Sequence, residues 1–162
     1  MKAYLKTGLA GLGGLALLAL GGCVAVDVDK ADFLPDVEHY SPDVVANGAK
    51  LPFSKAVRVG TTIYLSGELG IDYTTNALVS GGAGAETTQI FANIEETLDE
   101  FGADLSDIVK CTVFLDDMSK FGEMNAAYTA ALPDPKPARS TFGADGLALG
   151  AALEIECIAV IS

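Results

Sequence analysis

From Pro52 onward the chain switches between two hydrophobic periods. Residues 55–59, Lys55-Ala56-Val57-Arg58-Val59, alternate as a strand does. Gly60-Thr61 supplies a short turn, and residues 62–69 form a second alternating run, so the two predict a hairpin. Residues 74–84, rich in Gly, Thr and Asn, read as a loop. Ile90, Ile94, Leu98 and Phe101 then fall at helical spacing, which predicts a helix over 86–101 ended by Gly102. Residues 107–115 are β-rich. Ser119 caps a second predicted helix whose buried stripe is Phe121, Met124, Tyr128 and Ala131 or Leu132, with Pro133, Pro135 and Pro137 stopping it. Strands follow over 139–142 and 153–161. The order is β-β-α-β-α-β-β, an α+β layer with both helices on one face. The last strand carries apolar residues on both faces: Leu153, Ile155, Cys157, Ala159 and Ile161 on one, Ile158 and Val160 beside Glu154 and Glu156 on the other. Two helices cover only one side of a sheet, so a second subunit is expected over the other, with Glu156 at that interface.

The pattern ahead of Pro52 is different. Lys2 and Lys6 precede an apolar stretch over 9–20, which ends in Leu20-Gly21-Gly22-Cys23. A helix of about a dozen residues spans only about 18 Å, short of the roughly 30 Å of a bilayer core. Basic residues, a short apolar core and small residues in this order predict an export signal over 1–22. Residues 24–50 mix acids with Pro35, Pro42, Asn47 and Gly48 and read as a tether; with Cys23 they make a segment over 23–50 ahead of a folded domain over 51–162. His39, the single histidine, falls ahead of that domain, which argues against a histidine-based dyad.

Composition narrows the chemistry. The 162 residues carry 22 acids against 10 bases, a formal charge of −12. Removal of residues 1–22 takes away two lysines and no acid. Nucleic-acid binding needs clustered Lys and Arg, and this chain offers none. A site for an anion therefore requires one placed cation, and Arg139, one of two arginines, opens the strand Arg139-Ser140-Thr141-Phe142. A guanidinium forks onto a carboxylate as a lysine cannot. Glu156, between apolar residues on the last strand, is a carboxylate whose burial would perturb its titration, and Glu154 competes for the same role. Ser66-Gly67-Glu68 offers a close backbone approach, and Asn125 interrupts the second helix. Cys111 and Cys157 read first as buried free thiols; a bridge stays open as the alternative. No spacing suggests a metal site, and Gly81-Gly82-Ala83-Gly84 lacks the Lys-Ser/Thr of a phosphate loop.

Two resemblances follow from these residues. Leu20-Gly21-Gly22-Cys23 resembles the lipobox of bacterial lipoproteins, which implies lipidation of Cys23, a chain facing the periplasm, and a mild preference for the outer membrane, since Val24 is not an inner-membrane retention residue. Pro52-Phe53-Ser54-Lys55-Ala56-Val57, Tyr64-Leu65-Ser66-Gly67, Asn93-Ile94, residues 109–115, Met124-Asn125-Ala126-Ala127-Tyr128, Pro137-Ala138-Arg139-Ser140-Thr141 and residues 153–160 resemble, in order, the RidA/YjgF family. That resemblance implies a chorismate-mutase-like fold, a homotrimer with sites in the clefts between subunits, and cofactor-independent hydrolysis of 2-iminoacids or enamines to 2-ketoacids and ammonia. It makes Arg139 the carboxylate clamp and Glu156, not Glu154, the residue that positions water. Ser66, Gly67, Asn125 and Thr141 are implied to line the cleft. Phe53 stands where many members carry Tyr, and Glu68 where Gln is frequent; strand alternation puts Glu68 on the side of Ser66. Two other classes remain: a non-catalytic module that binds small carboxylates or a protein, which Phe53 and the export signal favour, and a ribonuclease, which the acidic charge disfavours.

Overall fold

The computed structural model describes residues 35–42 and 51–161. The predicted signal, Cys23 and most of the tether lie outside the described residues.

The predicted hairpin is present as β2 (Ala56–Val59) and β3 (Thr62–Leu65), turned at Gly60, whose φ of 59° suits glycine. Ahead of it, Val37–Tyr40 forms an edge strand, β1, antiparallel to β2. The sequence places these residues in a tether, because a four-residue strand flanked by Pro35 and Pro42 is too short to show a period. His39 thus belongs to the sheet, with Nδ1 3.2 Å from the Ser54 hydroxyl.

The second predicted strand is broken. β3 ends at Leu65, and β4 (Glu68–Leu69) resumes after Ser66-Gly67. β5 (Ile71–Asp72), just ahead of the predicted loop, and β6 (Ala77–Leu78), inside it, pair as a small separate ribbon. α1 (Gly82–Asp99) begins four residues earlier than predicted, because the Gly81–Gly84 stretch winds into its first turn, and Gly102 follows it at φ 67°. β7 (Ile108–Leu115), α2 (Phe121–Ala131) and β8 (Ala138–Gly143) form a β-α-β unit, so β7 and β8 are parallel. The cap ahead of α2 is Asp117 rather than Ser119: its carboxylate accepts from the Ser119 N–H at 2.8 Å and stabilises the short 3₁₀ turn that leads into the helix. β9 (Leu153–Val160) lies at the centre, and the sheet runs β1-β2-β3-β9-β7-β8 with β4 beside β9.

Both helices pack on one face. Ile90, Ile94 and Leu98 of α1 and Met124 of α2 are buried against Ile63, Val113, Leu115, Leu153 and Ile155, the inward positions of their strands. Each such side chain contributes about 1.5–3 kcal/mol on burial. Cys111 and Cys157 sit opposite each other in this layer, Cα atoms 4.1 Å apart, and are joined as a disulfide. The bridged alternative is therefore the one present. On the helix-free face Val37, Tyr64, Phe142 and Val160 are exposed. Among the described residues no helix is long and apolar enough to cross a membrane.

Candidate functional site

Arg139 is the second residue of β8, the edge strand. Its register partner Cys111 points to the helices, so the guanidinium emerges on the helix side, beside α2. There Nη2 donates to Asn125 Oδ1 at 2.8 Å. The guanidinium carbon lies 4.5 Å from the Tyr128 ring centroid and 5.6 Å from that of Phe121. Phe121, Asn125 and Tyr128 recur at i, i+4 and i+7, so one stripe of α2 supplies all three contacts. Phe121, expected in the core, is partly exposed for that reason. The sequence reading takes this stripe only as packing; the same spacing, read with Asn125 inside it, is the signal it missed.

These partners are neutral. The ion pairs among the described residues are Lys55–Glu68, Lys120–Glu123 and Lys136–Asp134, none involving Arg139. A hydrogen-bonded amide and two aromatic faces hold the cation without neutralising it, in a chain of net charge −12. Burial pushes the Tyr128 hydroxyl pKa up, while the Arg139 charge draws it part of the way back. Two polar atoms here, Tyr128 OH and Thr141 Oγ1, are buried without a hydrogen-bond partner.

A second group of predicted residues gathers at the β3–β4 break. Ser66 is tied to the preceding loop: its Oγ donates to Ser54 O at 2.8 Å and its N–H to Lys55 O at 3.0 Å. Phe53 is exposed one residue ahead of Ser54. Glu154 closes on Gly67: a Cβ on that glycine would stand 1.8 Å from Oε1 and 2.7 Å from Cδ. Burial raises the Glu154 pKa, and the charges of Glu156 and Glu68 raise it further. Glu156, preferred from sequence, lies two residues away and is exposed, lining a hollow of about 260 Å³ with Tyr64, Lys110 and Thr112. The structure thus brings Glu154, and not Glu156, against the Ser66–Gly67 strand end.

Glu68 does not share the side of Ser66. β3 pairs with β9 as Tyr64↔Ile158, but β4 pairs as Glu68↔Ile155, one residue out of step. The extra residue is a β-bulge, and it turns Glu68 from the open face to the helices. Its side chain is buried, accepts from Tyr73 OH at 2.6 Å and Asn93 Nδ2 at 3.0 Å, and pairs with Lys55 Nζ at 3.4 Å. A cleft contact by Glu68, open in the sequence reading, is replaced by an internal one.

Arg139 and Glu154 do not meet within one chain. Arg139 projects on the helix side of β8, whereas Glu154 shares the helix-free face of β9 with Glu156. Any site that uses both takes them from two copies. Among the described residues no three His, Cys, Asp or Glu side chains are arranged to hold a metal ion.

The sequence profile of the family described as Endoribonuclease L-PSP matches residues 44–161. The chain is 39% identical over 115 residues to a human protein named 2-iminobutanoate/2-iminopropanoate deaminase, covering 71% of this chain and 84% of that one. It is 40% identical over 110 residues to Reactive Intermediate Deaminase A of Arabidopsis thaliana, covering 68% of this chain but only 59% of the relative's length. Among solved structures, RidA from an Antarctic Psychrobacter superposes with a TM-score of 0.70 at 37% identity, over 76% of this chain and 99% of that one. The yeast Mmf1 structure gives 0.70 at 33% identity, over 78% and 100%. With this profile match over residues 44–161 and these relatives, the chain belongs to the RidA/YjgF family, the one described as Endoribonuclease L-PSP.

Proposed function

We propose that this protein hydrolyses 2-iminoacids, or their enamine tautomers, to 2-ketoacids and ammonia. The observation that carries the reading is Arg139, a guanidinium held by Asn125, Tyr128 and Phe121 with no carboxylate partner among the described residues. Such a cation is oriented and still charged, which suits a small carboxylate. The substrate carboxylate forks onto Arg139, and its C2=N carbon is placed beside Glu154 and Gly67 of a neighbouring copy. Glu154 takes a proton from water as the water oxygen bonds to C2. The C=N π pair moves to nitrogen, which receives the proton that Glu154 took from water; the hydroxyl of the resulting carbinolamine then passes its proton to that nitrogen by way of Glu154, its O–H pair forms the 2-keto group, and the C–N bond breaks with ammonia leaving. Burial first, then the charges of Glu156 and Glu68, raise the Glu154 pKa above that of an ordinary glutamate, so the carboxylate is a stronger base toward the water proton. Its seat on Gly67 favours Glu154 over Glu156 for this role. Because Arg139 and Glu154 lie on opposite faces, the reading requires an oligomer, and the homotrimer implied by the family resemblance supplies the copies.

The test generates 2-iminopropanoate with an amino-acid oxidase and follows its loss. Wild type accelerates the loss; Arg139→Ala abolishes most of it, at a cost on the order of 2–5 kcal/mol. Glu154→Gln is expected to lower kcat more than Glu156→Gln. No acceleration over buffer, or full activity in Arg139→Ala, ends the proposal; ligand-induced stabilisation without turnover would instead favour the binding module. Export and lipidation at Cys23 belong to the same proposal, and fatty-acid labelling retained in Cys23→Ser would refute them.

A further inference from the structure

The bulge places Glu68 directly after Gly67 and beneath the strand end that faces Glu154. Three groups from three segments converge on its carboxylate: Tyr73 OH at 2.6 Å, Asn93 Nδ2 at 3.0 Å and Lys55 Nζ at 3.4 Å. Asn93 extends the cluster, its Nδ2 also reaching the carbonyls of Leu69 and Ile71 at 3.3 and 2.9 Å, while Gln89 Nε2 donates to its Oδ1 at 2.8 Å. The Lys55 ammonium stands 4.3 Å from the centre of the Tyr73 ring. The Lys55 carbonyl also receives the Ser66 N–H. The residues on either side of Gly67 are therefore anchored to the same lysine, one through its backbone and one through its side chain.

A buried carboxylate with this many donors is costly to desolvate and gains little over an apolar residue in stability alone. A glutamine could accept the same Tyr73 and Asn93 hydrogen bonds. What glutamate adds is a fixed negative charge.

We propose that Glu68 is a positioning residue of the site: clamped from beneath by Tyr73, Asn93 and Lys55, it fixes Gly67 under the Glu154 carboxylate and sets the local charge against which Glu154 exchanges its proton. This rests on the role given to Glu154 above. The other groups around Glu154 are few. Glu156 is the charged neighbour on its own strand, Phe114 lies opposite on β7 and carries no charge, and on the β4 side Leu69 lies opposite with Glu68 adjoining and Lys55 bound to it. Burial is the first cause of the raised Glu154 pKa, with Glu156 and then Glu68 adding to it. Removing one negative charge from this set favours ionised Glu154, so its titration moves to lower pH.

The experiment follows Glu154 directly, by carbon NMR of ¹³C-carboxyl-labelled glutamate assigned with Glu154→Gln, alongside the pH profile of kcat/KM. In Glu68→Gln the Glu154 titration and the acid limb of the profile both move to lower pH, while KM stays within about twofold because Arg139 is untouched. Lys55→Gln removes the compensating cation and moves the titration the other way, which gives a second reading if Glu68→Gln does not fold. An unmoved Glu154 titration in the folded variants overturns the inference. The NMR arm needs no turnover, so an inactive wild type would end the deaminase reading and leave this one decided on its own.

Discussion

Gly67→Ala separates the geometry of the site from the stability of the fold. Gly67 has no positive φ, so alanine meets no backbone strain there. Its methyl would fall 1.8 Å from Glu154 Oε1, far inside any tolerated contact. The atom displaced is the tip of a flexible side chain and not backbone, so the carboxylate yields by roughly an ångström while β4 and β9 stay paired. Folding stability is expected to change by no more than about 1 kcal/mol, with part of any loss offset by the lower chain entropy of alanine in the unfolded state. Activity responds differently. Moving a proton-transferring group by about 1 Å costs about 100-fold, or roughly 2.7 kcal/mol of transition-state stabilisation. The loss should fall on kcat, because the carboxylate clamp at Arg139 lies on the other face. Thermal melts and steady-state kinetics on oxidase-generated 2-iminopropanoate make the comparison. An unchanged melting temperature with kcat within threefold of wild type would refute the assignment of Glu154. A collapse of stability would refute the claim that its carboxylate can yield.

The disulfide and a buried acid give two further expectations. Cys111 and Cys157 close a 46-residue separation across the two central strands, so replacing both with alanine should cost about 2–4 kcal/mol in chemical denaturation. Reductant should lower the wild-type midpoint and leave the double variant unmoved; equal sensitivity would refute the bridge. Glu86 is buried and accepts the Ala152 N–H at 2.9 Å, with burial raising its pKa above the ordinary 4.5 and that hydrogen bond opposing the rise. The folded state then holds the proton more tightly than the unfolded one. The Glu86 contribution to stability is therefore greatest at low pH and falls as pH rises through the window between the ordinary and the raised value. Glu86→Gln should flatten this slope, and identical wild-type and variant slopes across that window would exclude the cause.

The helices, β7 and β9 were legible because each buries a regular stripe over many residues, and the β2–β3 hairpin because Gly60-Thr61 marks its turn. Ile90, Ile94 and Leu98 or Leu153, Ile155 and Cys157 repeat often enough to fix period and face. What escaped were features only two to four residues long. β1 and the β5–β6 ribbon are defined by their partners across the sheet, not by any local pattern. Arg139 was visible as a lone cation, but its neutral cradle depends on how α2 crosses the edge strand. The preference for Glu156 over Glu154 came from the resemblance alone; spacing along β9 does not separate two acids that share one face, and placement against Gly67 enters only with the fold.

That missing placement traces to a single residue. A strand has two faces, and its side chains count along it in twos, so one inserted residue changes the parity of everything that follows. Up to Leu65 the odd positions point to the helices; from Glu68 the even ones do. Pairing these same residues in unbroken alternation, without the bulge, would not merely straighten the strand. It would exchange the addresses of Glu68 and Leu69, turning an acid out and a leucine in, and it would dismantle the anchor beneath the site while leaving every side chain of the cluster present in the sequence.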